Sequence, residues 1–143
     1  MRILVVEDDF ISRRLLCRYL QSLGESDVAV NGNEAVGAFK QTLLADEQYD
    51  LVCLDIMMPG MDGQETLKRL RALEEEHGVG PERRAKVIMT TALEDHDNVM
   101  AAFSNACDGY VVKPIEKKKF LETLVAIGLP VGDAISTPPV TGV

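Results

Sequence analysis

Four short apolar runs end in residues that can do ionic chemistry. Ile3–Val6 is followed by Glu7, Asp8 and Asp9, and Leu51–Leu54 by Asp55. Val87–Met89 is followed by Thr90 and Thr91, and Tyr110–Val112 by Lys113. If these runs are neighbouring parallel strands, their carboxyl ends share one rim, which is where open α/β sheets bind ligands. Three or four carboxylates, a hydroxyl and an ammonium would then converge. Two like charges at about 4 Å repel by about 4 kcal/mol at an effective dielectric of about 20. Protonating one acid or binding a cation relieves that repulsion. With neither Cys nor His in the set, hard oxygen ligands favour Mg2+ over zinc. Mg2+ commonly takes one or two carboxylates plus a substrate phosphate, so a phosphoryl group is the implied second guest. Lys113 can neutralise phosphate or Asp55 charge, and Thr91 can donate to a phosphoryl oxygen.

The elements that must position these residues alternate in kind. Ile3–Val6 is continuous and apolar, as suits a strand buried on both faces. Ile11, Leu15, Leu16, Tyr19, Leu20 and Leu23 form one helical stripe, with Gly24 as the expected C-cap. Val28–Val30 reads as a weaker second strand. Asn31 and Glu34 are spaced as a capping box before a helix with Ala35, Val36, Phe39 and Leu43. Leu51–Leu54 is the third strand, and a loop from Ile56 to Met61 follows Asp55. Asp62 and Glu65 then open a helix with Leu67, Leu70 and Leu73. His77 to Arg84, with two glycines and Pro81, is a connection. Val87–Met89 is the fourth strand, and Val99, Met100 and Phe103 mark the next helix. Tyr110–Val112 is the fifth strand, and Phe120, Leu121, Leu124 and Val125 mark the last helix. Strict alternation of five strand–helix units implies α/β architecture, a five-stranded parallel sheet doubly wound with five helices. Pro130–Val143 is rich in Pro, Gly, Ser and Thr and reads as a flexible tail or linker stub beyond a domain spanning residues 1–129.

Composition bounds the function. The chain has 143 residues, 46% hydrophobic and 27% charged, enough for one domain with a real core. Aromatics are 5% and Trp is absent, so that core is aliphatic. A net charge of −8 argues against direct nucleic-acid binding, which needs a basic surface. No apolar run approaches membrane-spanning length. Cys17, Cys53 and Cys107 contain no C-x-x-C pair and sit in apolar stretches, so buried free thiols in a reducing cytoplasm are expected.

The strings Val5-Val6-Glu7-Asp8-Asp9, Leu54-Asp55-Ile56-Met57-Met58-Pro59-Gly60-Met61-Asp62-Gly63, Thr91-Ala92 and Gly109-Tyr110-Val111-Val112-Lys113-Pro114 resemble the receiver domain of bacterial two-component response regulators. The likeness runs from about Arg2 to Ile127, and closest in kind are the single-domain, chemotaxis-regulator-like members. It implies a flavodoxin-like fold of strand order 2-1-3-4-5. It implies that Asp55 is the phosphoacceptor, taking a phosphoryl group from a sensor histidine kinase or phosphotransfer protein as an aspartyl phosphate. Glu7 and Asp8 align with the acidic pair for Mg2+ (Mn2+ as substitute), alongside Asp55 and the backbone carbonyl of Met57. Asp9 falls where the family does not usually place a ligand, so the register of the three acids is open by one place. Lys113 and Thr91 would contact the phosphoryl group, Thr91 and Tyr110 would form the switch, and Lys113-Pro114 is a candidate cis peptide. The switched surface would comprise the helix carrying Val99, the fifth strand and the last helix, and would signal to a downstream protein target. Met57 and Leu93 flank the site. Its own phosphorylation and a slow autodephosphorylation would be its only chemistry.

Plainer readings stand beside these. Asp55 alone could cap a loop, Asp9 could cap the first helix, and Thr90 reads as an ordinary strand residue. His77 and His96 read as exposed and inert, and Lys117–Lys119 as a solvated face. Glu116 is a poor N-cap. A receiver excised from a longer regulator is the alternative context. An aspartyl-phosphate phosphatase of haloacid dehalogenase type is disfavoured, because Met57 stands where the acid/base Asp would be.

Overall fold

The apolar runs do form strands, and each residue type explains its place. In a computed structural model that describes residues 1–92 and 107–131, five strands alternate with four described helices. They are β1 (Arg2–Val6), α1 (Phe10–Leu20), β2 (Glu25–Ala29), α2 (Gly32–Leu44), β3 (Leu51–Asp55), α3 (Gly63–Glu76), β4 (Lys86–Thr91), β5 (Gly109–Val112) and α4 (Lys117–Ala126). The helix expected around Val99, Met100 and Phe103, together with Leu93 and His96, lies outside the described residues. All neighbouring strands pair in parallel, in the order β2-β1-β3-β4-β5.

Strand side chains alternate faces, and the two faces carry separate cores. Leu4, Val6, Val52, Leu54, Val87 and Met89 pack against Ala35 and Phe39 of α2 and Leu67, Leu70 and Leu73 of α3. Ile3, Val5, Leu51, Cys53, Ile88 and Val111 pack against Leu16 and Leu20 of α1 and Phe120, Leu121 and Leu124 of α4. The central strands carry continuous apolar runs because helices cover them on both sides.

Helix starts follow their caps. Asp9, Asn31 and Asp62 accept from the N–H groups of Ser12, Glu34 and Glu65 at 2.8–2.9 Å. Glu116 at the start of α4 makes no side-chain cap bond, as its type predicts. The Lys113–Pro114 peptide is cis.

Four local expectations are corrected. Gly24 does not cap α1, which ends at Leu20 with Gln21 in the cap position. Instead a Cβ at Gly24 would lie 1.9 Å from the Met1 carbonyl oxygen, so glycine lets β2 approach the chain start. Strand β2 begins at Glu25 rather than Val28, because edge pairing with β1 tolerates polar side chains that hydropathy does not flag. Ile11 is 74% exposed and stands off the buried stripe of α1. Val131, one residue past the start of the expected tail, is buried in the α1/α4 core.

The three cysteines are free, Cys53 and Cys107 buried and Cys17 partly so. Burial pushes all three thiols up, Cys107 to about 11, which makes them poor nucleophiles. No helix among the described residues is long and apolar enough to cross a membrane.

Candidate functional site

At the carboxyl ends of β1 and β3 the sheet delivers the acids to one place. Carboxylate oxygens of Glu7, Asp8 and Asp55 all lie within 4.8 Å of one another. Glu7 and Asp55 are buried, while Asp8 is exposed at the mouth. Lys113, from the end of β5, reaches across β4 to both buried acids, with Nζ 2.9 Å from Glu7 Oε1 and 3.4 Å from Asp55 Oδ2. Residues more than a hundred positions apart, such as Glu7 and Lys113, meet because parallel crossovers return each strand in the same direction.

The local chain shapes the pocket. The backbone N–H of Asp9 donates to Glu7 Oε2 at 3.2 Å, which turns the Glu7 carboxylate inward. Asp9 itself is taken up as the N-cap of α1, and its bond from Ser12 holds its pKa below the ordinary carboxylate value. The acids that share the oxygen cluster with Asp55 are therefore Glu7 and Asp8. After Asp55, the Met57 N–H donates back to Asp55 Oδ1 at 3.3 Å, and the Ile56 N–H donates to the Thr90 carbonyl at 3.0 Å. Gly63 at the start of α3 allows close packing here, since a Cβ would lie 2.2 Å from the Asp55 carbonyl oxygen. Met58 is buried while Met57 is exposed at the mouth.

Electrostatics follow from that crowding. Burial, then the hydrogen bond and charge of Glu7, raise the Asp55 pKa to about 7, against the pull of Lys113 and the Met57 N–H. Burial works against the Lys113 ammonium, but the two carboxylates hold its pKa above the ordinary value. Glu7 Oε1 is buried and receives no aligned hydrogen bond, the Lys113 ion pair apart. An all-oxygen donor set, overcharged and partly unsatisfied, fits a hard divalent cation. Zinc, which prefers His and Cys, has no such ligand here.

Thr91 is buried at the end of β4, its hydroxyl donating to the Ala92 carbonyl at 3.1 Å. Tyr110 is half-exposed on β5. One participant escaped the sequence reading. Arg13, on the first turn of α1, donates to the Glu7 carbonyl at 2.9 Å and to the Asp8 carbonyl at 3.4 Å, clamping the backbone that bears the acids. A cation one helical turn past an acidic run was the available signal.

Comparisons with known proteins agree with this geometry. A family model described as the response regulator receiver domain matches residues 3–125. Regulatory protein VanRB of Enterococcus faecalis is 35% identical over 128 residues, covering 89% of this chain and 52% of that protein. Chemotaxis protein CheY of Treponema pallidum is 31% identical over 128 residues, covering 88% of this chain and 81% of that protein. Among solved structures, the CheX–CheY–BeF3–Mg2+ complex from Borrelia burgdorferi aligns with a TM-score of 0.75 at 27% identity, over 91% of this chain and 90% of that one. The chain spans about half the length of VanRB and less of several other curated relatives. A family match of that extent, on a parallel sheet of that strand order, settles the assignment: the chain belongs to the response regulator receiver domain family, the phosphoacceptor signalling modules of two-component systems.

Proposed function

We propose that the site takes a phosphoryl group from a phosphohistidine onto Asp55. The observation that carries this reading is the Glu7, Asp8 and Asp55 oxygen cluster with the Lys113 ammonium 3.4 Å from Asp55. An Asp55 oxygen attacks phosphorus, and the P–N bond breaks with its electron pair leaving on the histidine nitrogen. In phosphoryl transfer the enzyme-like task is positioning plus charge neutralisation on the equatorial oxygens. Lys113 supplies one positive charge there. Thr91 turns its hydroxyl to a phosphoryl oxygen, and Tyr110 follows the space that Thr91 vacates.

Receiver domains bind Mg2+ at an acidic pocket of this kind, and the Borrelia complex contains Mg2+. In this chain Glu7, Asp8, Asp55 and the Met57 carbonyl would hold it, with Mn2+ as a substitute. When bound, the ion neutralises phosphoryl charge.

Receiver domains are signalling domains. The chemistry of this one is its own phosphorylation and a slow hydrolysis of the aspartyl phosphate. The donor is a sensor histidine kinase or a phosphotransfer protein, the readout is a downstream protein target, and the setting is the cytoplasm. The length shared with relatives such as VanRB favours a second reading of context, in which the chain is the receiver of a longer regulator. Coding sequence past Val143 decides between the two.

Acetyl phosphate with Mg2+ is expected to label the protein once, and Asp55→Asn is expected to abolish the label. An unlabelled wild type, or a variant labelled at that site, overturns the proposal.

A further inference from the structure

Thr90 looks unremarkable in the sequence, but its position is not. It is the Cα partner of Asp55 in the β3–β4 register, and of Val111 in the β4–β5 register. Partners across a sheet turn their side chains to the same face. Asp55, Thr90 and Val111 thus form a row, and Lys113 follows two residues beyond Val111, its backbone N–H donating to the Thr91 carbonyl at 2.7 Å. The Lys113 ammonium starts from β5 and contacts Asp55 at the end of β3 and Glu7 beyond β1. Strand β4, which bears Thr90, lies between β3 and β5 in the sheet.

The Thr90 side chain is 1% exposed, and its Oγ1 has no hydrogen-bond partner among the described residues. An unpaired buried hydroxyl costs about 1–3 kcal/mol. Valine would fill the same space without that cost. A polar group in line with Asp55 can gain its partner in another state of the site. A donor in the same site is Lys113, whose ammonium carries three N–H bonds and lies 2.9 Å from Glu7 Oε1 and 3.4 Å from Asp55 Oδ2.

We propose that the Thr90 hydroxyl is a positioning group for phosphoryl transfer. It accepts an N–H from Lys113 as the ammonium leaves Glu7 for the incoming phosphoryl oxygens, and so holds the cation above Asp55. This rests on the phosphoacceptor reading of Asp55.

The test uses the full chain with acetyl phosphate and Mg2+, following the labelling rate of Asp55, and thermal unfolding without phosphodonor. Thr90→Val is expected to slow labelling by roughly five- to tenfold, the size of one lost hydrogen bond. Its unfolding midpoint should be unchanged or higher, because an orphaned hydroxyl has gone. Thr90→Ser should label within about twofold of wild type, since one hydrogen bond is retained. If the valine variant does not fold, Thr90→Ala replaces it in the same comparison with Ser. Labelling of the variant lacking the hydroxyl at the wild-type rate overturns the inference, as does equal slowing in Ser. A wild type that takes no label overturns the underlying reading of Asp55 and this inference with it.

Discussion

Asp55 serves two opposed requirements. It must be buried to exclude water from an acyl phosphate, and it must be ionised to attack phosphorus. Burial and Glu7 set its pKa near 7, whereas an unfolded aspartate ionises near the ordinary value of 3.8. Below that ordinary value both states carry the proton, and the raised pKa contributes its full stabilisation. Between about pH 4 and 7 the unfolded chain has lost the proton and the folded chain retains it, so this contribution declines as pH rises, by up to about 1.4 kcal/mol per unit. Asp55→Asn has no such proton. In chelator-treated solution its stability relative to wild type should therefore grow from pH 4 to 7 in urea titrations. A difference that stays flat across this window would mean that the shifted proton belongs to another group. The placement of Asp55, Thr91 and Lys113 at strand ends was legible in the sequence because each closely follows an apolar run. The environment of Thr90 was not, since a threonine in a strand looks the same whether or not its hydroxyl is satisfied.

Helix α3 is fastened at both ends. At the rim, Asp62 caps it and Gly63 packs it against Asp55. At the far end Arg71 bridges Glu74 at 2.9 Å and Asp108 at 3.1 Å and donates to the Ala85 carbonyl. Glu74 accepts from the Ala85 N–H and Asp108 from the Val87 N–H, so the network ties α3 to the starts of β4 and β5. Glu74 is buried and the other two nearly so. Removing one partner strands the remaining charges, and Arg71→Met should destabilise the protein by about 3 kcal/mol. Equilibrium unfolding in urea measures it, and labelling at Asp55 should persist because the network sits at the opposite end of the strands. A loss well under 1 kcal/mol, about the worth of a surface pair, would show that the network holds nothing together. Apolar periodicity located every described helix, including α3. It missed the first residues of β2 and misplaced the end of α1, because edge strands and helix termini are decided by backbone partners rather than by hydropathy.

At the scale of the whole molecule, the site exists only in the folded chain. A cation that binds the folded state alone stabilises it by mass action, about 2.7 kcal/mol at a hundred times its dissociation constant. Mg2+ should raise the thermal midpoint of wild type in a concentration-dependent way. Asp8→Asn should remove most of that rise while leaving the metal-free midpoint nearly unchanged, because Asp8 is exposed. An equal Mg2+ response in both proteins would put the ion elsewhere. The order of apolar runs, their caps and the residues that end them were determined by sequence alone, since secondary structure follows from local periodicity and hydrogen-bonding side chains. Only the tertiary structure decided that Glu7 rather than Asp9 turns inward, that Arg13 grips the acidic backbone and that Lys113 spans a strand to reach Asp55. Those outcomes depend on register across parallel strands, and register is fixed by packing between segments that are distant in the chain.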